Sequence, residues 1–143
     1  VTANRGDDTV SVLLGDGSLS LSRQTPDVAV HRPASLIPAR APSSVALGDL
    51  DGDGDLDAVT ANSDGSSSRS SVTVLLNDGS GTLSIAEAQT EPEIATDCPM
   101  EVGLSPHTVR LADVNTDGAL DIITASPTVQ AGSSQVSLLL TRP

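Results

Sequence analysis

The chain has 143 residues, a formal net charge of −12 and no aromatic residue. That length is enough for one ordinary domain, and the acidic balance argues against nucleic acid or an anionic membrane surface as a partner, because both require a cationic face. No run of about 18 apolar residues offers a membrane span, and a core without Phe, Tyr or Trp has to be built from Val, Leu, Ile and Ala, which favours a thin, stacked β architecture.

Residues 1–30 predict three short strands. They read "VTAN", "TVSVLL" and "SLSLSRQ", and the turn "GDGS" separates the last two. The turn after the first strand carries Arg5-Gly6-Asp7. A tripeptide in a turn is weak evidence for an integrin-ligand motif, and we interpret it as a chance occurrence.

A Pro-rich connection, residues 31–41, leads to a complete unit at residues 42–90. This unit predicts four strands: "SVALG", "DAVTAN", "SVTVLLN" and one that begins near "TLSIAEA". The second strand is apolar on both faces, as expected of a strand inside a stack. The segment "SDGSSSRSS", residues 63–71, is interpreted as a hairpin tip.

The loop between the first two strands of this unit is strongly acidic. Its sequence "DLDGDGDLD" sets aspartates at alternate positions from Asp49 to Asp57. Like charges at this spacing repel in a partly desolvated loop, whereas a hard cation that takes oxygen ligands explains both the acids and the glycines between them. An EF-hand would require a Glu at position 12 and flanking helices, but Thr60 stands there and the flanks are strand-like. The pattern predicts a calcium loop that closes at position 9.

Residues 106–143 repeat this plan after a second Pro-rich connection, residues 91–105. The predicted strands are "TVRLA", "DIITAS" and "QVSLLLT", and the corresponding loop, "DVNTDGALD", spans residues 113–121. The connection contains the chain's one cysteine, Cys98, which we interpret as a bystander thiol. His31 and His107 have no second histidine or cysteine at ligand spacing, so we interpret them as surface or connector residues.

Internal repetition is the clearest feature of the sequence. "PSSVALGDLDGDGDLDAVTA" (Pro42 to Ala61) matches "PHTVRLADVNTDGALDIITA" (Pro106 to Ala125) at a constant offset of 64. "VTAN" at the start of the chain recurs at residues 59–62. "TVSVLLGDGSLS" at 9–20 matches "SVTVLLNDGSGTLS" at 71–84, with the later copy two residues longer.

The combination "SVALGDLDGDGDLDAVTAN…SVTVLLNDGSGTLS" resembles the FG-GAP or VCBS-type repeat, the calcium-binding blade of integrin-α-like β-propellers. The resemblance covers nearly the whole chain apart from the two connections, and it implies an all-β fold of four-stranded antiparallel blades with one calcium ion in each acidic loop. The ligands it implies at the first site are Asp49, Asp51, Asp53, the carbonyl of Asp55, and Asp57. Those at the second site are Asp113, Asn115, Asp117, the carbonyl of Ala119, and Asp121.

The chain departs from the family pattern at its large apolar positions. Family members usually carry Phe after the first Asp of the loop and after the "GDGT" turn, whereas this chain has leucine or valine: Leu50, Val114, Leu19 and Leu83. Packing between blades is therefore expected to be lighter. The second loop has Thr116 in place of the usual glycine and one formal charge fewer, so we expect it to bind calcium more weakly.

Ten predicted strands make about two and a half blades, whereas a closed propeller needs at least four. Residues 1–30 supply only strands two to four of a blade. The predicted incomplete ring would leave strand edges and apolar faces open. We expect them to be covered by further blades in the same chain or by other copies of it, which would build a larger ring or a filament.

These features favour a calcium-stabilised structural or adhesion module that is extracellular, either secreted or at the cell surface, where calcium is abundant. One alternative is a segment that binds a protein or glycan ligand, although sugar sites usually stack the ring on aromatic residues. Another is a non-catalytic part of a secreted enzyme. No nucleophile elbow or paired acid and base is present, so the chain itself is predicted not to be an enzyme.

Overall fold

The computed structural model describes residues 1–31, 41–63, 70–86, 100–102, 105–127 and 134–141, with the side chains of residues 100 and 101 left out. Within these ranges the chain forms thirteen strands and no helix, and every strand pair is antiparallel. The predicted all-β class is confirmed.

The strands fall into three consecutive units that follow the sequence repeats. The opening unit contains β1 (Thr2–Asn4), β2 (Thr9–Ser11), β3 (Leu13–Gly15), β4 (Leu21–Arg23) and β5 (Val28–Ala29). The middle unit contains β6 (Pro42–Gly48), β7 (Asp57–Ser63), β8 (Ser70–Asn77), β9 (Leu83–Ile85) and β10 (Met100–Glu101). The third unit contains β11 (Thr108–Ala112), β12 (Asp121–Ser126) and β13 (Gln135–Leu139).

Among the described residues, the strands of the middle unit form one sheet of five. Strands β6, β7 and β8 lie side by side, and the far edge of β8 is shared by β9, which pairs near Leu75, and β10, which pairs at Val72. The opening unit repeats this outer edge, since β4 pairs with β3 and β5 pairs with β2. The sequence did not predict β5 and β10, because a two-residue strand carries no period-two signal.

The register corrects one detail of the predicted repeat. Gly15 pairs with Leu21 and Asn77 pairs with Leu83, so the two hairpin turns have equal length and no two-residue insertion separates the copies. Leu21 is thus the counterpart of Leu83. Leu19, which the alignment had matched to Leu83, instead occupies the turn position of Gly81.

Aliphatic residues between successive units form two hydrophobic cores. The first core joins the opening and middle units through Val10, Val12, Val30, Ala58, Leu75 and Leu83. The second core joins the middle and third units through Val59, Ala61, Val72, Val109 and Ile122. Because neighbouring residues of a strand point to opposite faces, β7 contributes Ala58 to one core and Val59 to the other. The prediction that this strand is buried on both faces is confirmed.

A row of buried polar side chains accompanies the first core on β7 and β8. Thr60 donates to Asn62 Oδ1 (3.0 Å), and Asn62 Nδ2 donates to Ser71 Oγ (3.4 Å) and Thr73 Oγ1 (3.0 Å). Thr73 Oγ1 in turn donates to the Val30 carbonyl of the opening unit (2.8 Å). The row therefore satisfies its own polar groups and also joins two units.

Candidate metal centre

The acidic loop of the middle unit connects the end of β6 to the start of β7. Gly52 and Gly54 adopt positive φ angles of 79° and 93°, which glycine reaches without steric cost. Asp49 Oδ1 accepts a hydrogen bond from Gly52 N (2.7 Å), and its Oδ2 accepts one from Gly54 N (3.0 Å). The first aspartate thus folds the loop back on itself.

The next two aspartates make local turns. Asp51 Oδ1 accepts from Asp53 N (3.2 Å), and Asp53 Oδ1 accepts from Asp55 N (2.8 Å). Aspartate commonly forms such turns, in which its carboxylate accepts a hydrogen bond from the backbone NH two residues further along the chain. Each carboxylate uses one oxygen in this way and keeps acceptor capacity for a ligand.

Asp57, the last acid of the loop, is buried at the first residue of β7. Its Oδ2 accepts from Leu50 N (2.8 Å) and its Oδ1 from Asn77 N at the end of β8 (2.9 Å). Asn77 Nδ2 donates to the Leu56 carbonyl (3.1 Å). One buried carboxylate therefore ties the loop to two strands.

Three of the predicted ligands meet in this loop. One carboxylate oxygen each of Asp49, Asp51 and Asp57 lies within 4.8 Å of the others. Calcium binds oxygen at 2.3–2.6 Å, so two oxygens that share an ion lie at most about 5 Å apart, and the three carboxylates fit that limit. Loss of hydration, with a smaller contribution from the charges of Asp53, Asp57 and Asp49, raises the pKa of Asp51 above its ordinary value, against a hydrogen bond from Asp53 N.

The other two predicted positions of this loop lie outside that group. The Asp53 carboxylate is exposed and engaged with the backbone of Asp55. The Asp55 carboxylate lies against the β8–β9 turn, where a Cβ added to Gly79 would come within 2.6 Å of Asp55 Oδ2. Only the carbonyl of Asp55 was predicted as a ligand, and a side chain turned toward Gly79 does not conflict with that prediction.

The loop of the third unit reproduces most of these hydrogen bonds at equivalent positions of the repeat, although Asp113 Oδ1 accepts from Asp117 N (3.2 Å) where Asp49 Oδ1 accepts from Gly52 N. Asp113 Oδ2 accepts from Gly118 N (3.0 Å), and Asp117 Oδ1 accepts from Ala119 N (2.9 Å). Buried Asp121 accepts from Val114 N (2.9 Å) and from Thr141 N (3.0 Å). The scaffold of the two loops is therefore the same.

The two loops differ at the position of Asp51, where the third unit has Asn115. The Asn115 Oδ1 accepts from Asp117 N (2.9 Å), and its Nδ2 donates to Asp117 Oδ2 (2.7 Å). Thr116 adopts a positive φ of 63° where the middle unit has Gly52. The second loop thus offers an amide oxygen, and an Asp117 with both oxygens engaged, in place of two carboxylates that each use one oxygen to accept a backbone NH.

The remaining motifs lie apart from these loops. Arg5 Nη2 donates to the Ser63 carbonyl (3.5 Å), and Asp7 N donates to the Asn4 carbonyl (3.2 Å) within the β1–β2 turn. Exposed His107 places Nδ1 2.8 Å from the Ser105 carbonyl. Cys98 and most of the two Pro-rich connections and the predicted hairpin tip lie outside the described residues.

Sequence reasoning missed the contribution of the strand-three ends to these sites. Asn77 and Thr141 each donate a backbone NH to the last aspartate of a loop. Their side chains donate to the carbonyl just before that aspartate, namely Leu56 for Asn77 and Leu120 for Thr141 (2.9 Å). The available signal was the recurrence of a polar residue at the end of "VTVLLN" and "VSLLLT", at equivalent positions of the two units.

Comparison with known proteins gives one family. The family described as FG-GAP-like repeat matches residues 49–124, slightly more than half of the chain, from the first acidic loop to the middle of β12. Neither the curated proteins nor the solved structures gave a match. None of the described residues belongs to a helix with the length and apolar character required to cross a bilayer.

Proposed function

Since the chain belongs to the FG-GAP-like repeat family, we propose that it is a calcium-stabilised, non-catalytic structural or adhesion module of the extracellular space. The observation that carries the proposal is the convergence of Asp49, Asp51 and Asp57 at the junction of β6 and β7.

The proposed role of calcium is mechanical. Without a cation the three carboxylates repel one another, and an ion that binds all three removes this repulsion. Asp57 is already hydrogen-bonded to Leu50 in the loop and to Asn77 at the end of β8. An ion held by Asp57 would therefore fix the loop and three neighbouring strands together, with Asp53 and the Asp55 carbonyl as the further proposed ligands.

We assign a second, weaker site to Asp113, Asn115, Asp117, the Ala119 carbonyl and Asp121. The repeated hydrogen bonds of the two loops support this assignment. Its lower affinity follows from Asn115, which supplies a neutral oxygen and also occupies one oxygen of Asp117.

The extracellular location follows from the calcium requirement. Binding to the folded state alone contributes RT ln(1 + [L]/Kd), about 1.4 to 2.7 kcal/mol per site at free calcium ten to a hundred times Kd. Even a site of the weak class, for which extracellular modules have Kd values of about 10⁻⁴ to 10⁻³ M, would be filled at the millimolar calcium found outside cells. This availability of calcium supports the proposed extracellular location.

The proposed partners are further blades of the same chain or copies of it. Val136, Leu138 and Leu140 alternate along β13 and just beyond it, and the first two are 73 % and 47 % exposed. Val72, the counterpart of Val136 in the middle unit, is fully buried in the second core by the third unit. The same face of the third unit is thus shaped to receive another unit.

A melting experiment in EDTA and in calcium tests the proposal. Calcium is expected to raise the melting temperature by roughly 5 to 10 °C, the equivalent of one or two filled sites. Asp51→Ala should lose most of that rise. Asp16→Ala is the matched control, because Asp16 is also an exposed aspartate that accepts the NH two residues on, and it should keep the rise. An equal response of both variants, or no response of the parent chain, contradicts the calcium assignment.

A further inference from the structure

The β1–β2 turn carries a sequence motif that the proposed function does not use, Arg5-Gly6-Asp7. All three residues are exposed. Asp7 N donates to the Asn4 carbonyl (3.2 Å), which places Arg5 and Gly6 at the centre of the turn and Asp7 at its end. The motif therefore lies at the tip of a hairpin, and it belongs to neither acidic loop.

The residue that follows the motif fixes the base of this turn. The Asp8 carboxylate accepts from Ala41 N (2.7 Å), and the Asp8 carbonyl accepts from Val30 N (3.0 Å). Asp8 also adopts a positive φ of 56°, a conformation that aspartate tolerates better than most residues. Because two other segments of the chain hold Asp8, the three residues before it have the rigid support that is common beneath binding loops.

The charged groups of the motif contribute little to the fold. The Asp7 carboxylate has no hydrogen-bond or ion-pair partner among the residues that the structure describes. Arg5 Nη2 lies 3.5 Å from the Ser63 carbonyl, which is longer than an ordinary hydrogen bond. A partner that binds both charged groups therefore breaks no strong contact within the chain.

Gly6 is a glycine that the fold does not require. Six other described glycines adopt positive φ angles, and Gly48 packs closely against two leucines. Gly6 has no positive φ, and a Cβ added to it would meet nothing within 4 Å. Because turns without a positive φ accept most residues at their centre, the glycine relieves no strain here. Its effect is to leave the surface between Arg5 and Asp7 without a side chain.

We propose that Arg5, Gly6 and Asp7 bind an adhesion receptor of the integrin type. The tripeptide alone favours a chance occurrence, but the fixed base, the two unengaged charges and the glycine without a structural role together favour a binding loop. The Asp7 carboxylate supplies an oxygen to a divalent cation held by the receptor, and the Arg5 guanidinium pairs with a receptor carboxylate. The receptor surface lies over Gly6. This site goes beyond the proposed function and does not depend on the two calcium loops.

A binding measurement with the full chain tests this proposal. The probe is the purified ectodomain of an integrin that binds Arg-Gly-Asp peptides, with calcium and magnesium present throughout. The chain is expected to bind saturably, and a soluble Arg-Gly-Asp peptide should compete. Asp7→Glu should weaken binding about tenfold or more, because the longer side chain misplaces a charge-assisted contact. Asp16→Glu is the matched control in another exposed hairpin turn and should bind as the parent does.

Gly6→Ala separates receptor binding from folding. Because the space around Gly6 is open and its φ is not positive, this substitution should not lower the melting temperature. Binding should nevertheless fall about tenfold or more, because the added methyl group would press against the receptor between its two charged contacts. The rise in melting temperature with calcium should be the same in Gly6→Ala, Asp7→Glu and the parent chain.

Weaker binding by both variants, with their melting temperatures and calcium responses intact, supports the proposal. It is overturned if the parent chain does not bind, if the peptide does not compete, or if either variant binds as tightly as the parent. A parent chain that binds the receptor but shows no rise in melting temperature with calcium counts against the proposed function only.

Discussion

Asp57 and Asp121 act as structural groups before any ion is considered. Both are fully buried, and each accepts backbone NH groups from its own loop and from the end of strand three. A buried carboxylate without such partners would be costly. The hydrogen bonds thus hold one ligand of each proposed site in place, and the exposed acids of the loop complete it.

The Asp51 carboxylate should lower the melting temperature in the absence of calcium and raise it in the presence of calcium. Its pKa is raised in the folded chain, so its contribution to stability is fully present only below the unfolded-state value of 3.8 and is lost as the pH rises through the folded value. At neutral pH in EDTA, Asp51→Asn is therefore expected to raise the melting temperature, while in saturating calcium it lowers it. Asn115→Asp is the matched reverse change and should behave in the opposite way. Melting curves in EDTA and in calcium measure the direction of the change in melting temperature for each variant. A change in the same direction in both buffers contradicts the assignment of Asp51 as a calcium ligand.

Thr124 is a buried threonine whose hydroxyl has no hydrogen-bond partner among the residues that the structure describes. Its counterpart Thr60 donates to Asn62, but the third unit has Ser126 in that place. Thr124→Val should stabilise the chain by about 1 kcal/mol, because it removes a desolvated polar group at constant volume. Thr60→Val is the control and should destabilise by about 1 to 2 kcal/mol, since it leaves the buried Asn62 oxygen without its donor. Chemical denaturation measures both, and a destabilised Thr124→Val would show that this hydroxyl is satisfied.

At the scale of elements, the two hairpin turns show how one backbone shape is built from different residues. Asp16 and Asp78 each accept from the NH and the hydroxyl of the serine two residues on. The hydroxyl hydrogen bond, followed by the NH, holds the pKa of each carboxyl below its usual value. Their contribution to stability is thus present above the unfolded value of 3.8 and is lost as the pH falls through the lower folded value.

The turns differ at their fourth residue, where Leu19 replaces Gly81. Leu19 has φ of 67° and is fully exposed, while Gly81 has φ of 88°. Leu19→Gly should stabilise by about 0.5 kcal/mol, because relief of the left-handed conformation exceeds the entropy that glycine loses on folding. Gly81→Leu should destabilise by more than about 1 kcal/mol, since its Cβ would also lie 3.1 Å from Leu14 Cδ2. Chemical denaturation gives the free energy of unfolding of both variants. A destabilised Leu19→Gly variant would show that Leu19 is not strained in the left-handed conformation.

At the scale of the whole molecule, the units are held together by contacts too close for larger side chains. Gly48 lies under Leu111 and Leu120, whereas its counterpart Ala112 carries a methyl group. Gly48→Ala should destabilise by about 1 to 2 kcal/mol, because two leucine methyls have to move. Ala112→Gly should cost less than about 1 kcal/mol, mainly through backbone entropy. Denaturation curves test the pair, and equal costs would show that the unit interface tolerates a methyl group at Gly48.

The outer faces of the array differ in polarity. In the opening unit, Asn4 Nδ2 donates to Thr9 Oγ1 (3.0 Å) and Ser11 Oγ (2.7 Å). Arg23 also donates to Ser11 Oγ (3.0 Å) and forms an ion pair with Asp27, so charged groups lie beside these polar residues. The opposite end presents the apolar side chains of Val136 and Leu138. If further units join the array, as proposed, we expect them at the apolar face, because burial of the ion pair at the other end would cost desolvation.

The sequence by itself determined the presence of the repeat, the order of the longer strands, the all-β class and the two acidic loops. These features rest on local patterns, such as the continuously apolar strand "DAVTAN" and the alternating aspartates from Asp49 to Asp57, and such patterns can be recognised without knowledge of the rest of the fold. It also placed Asp49, Asp51 and Asp57 in one candidate site.

Only the tertiary structure decided how these pieces meet. It brought Asn77 to Asp57, left the Thr124 hydroxyl without a partner among the described residues, and matched Leu21 with Leu83. It also left Leu47 and Leu56 exposed while their counterparts Leu111 and Leu120 are half-buried against Gly48. The physical reason is that burial and hydrogen-bond partners depend on residues from other strands and other units. Equivalent residues of two repeats therefore differ in burial and in hydrogen bonding when different units pack against them.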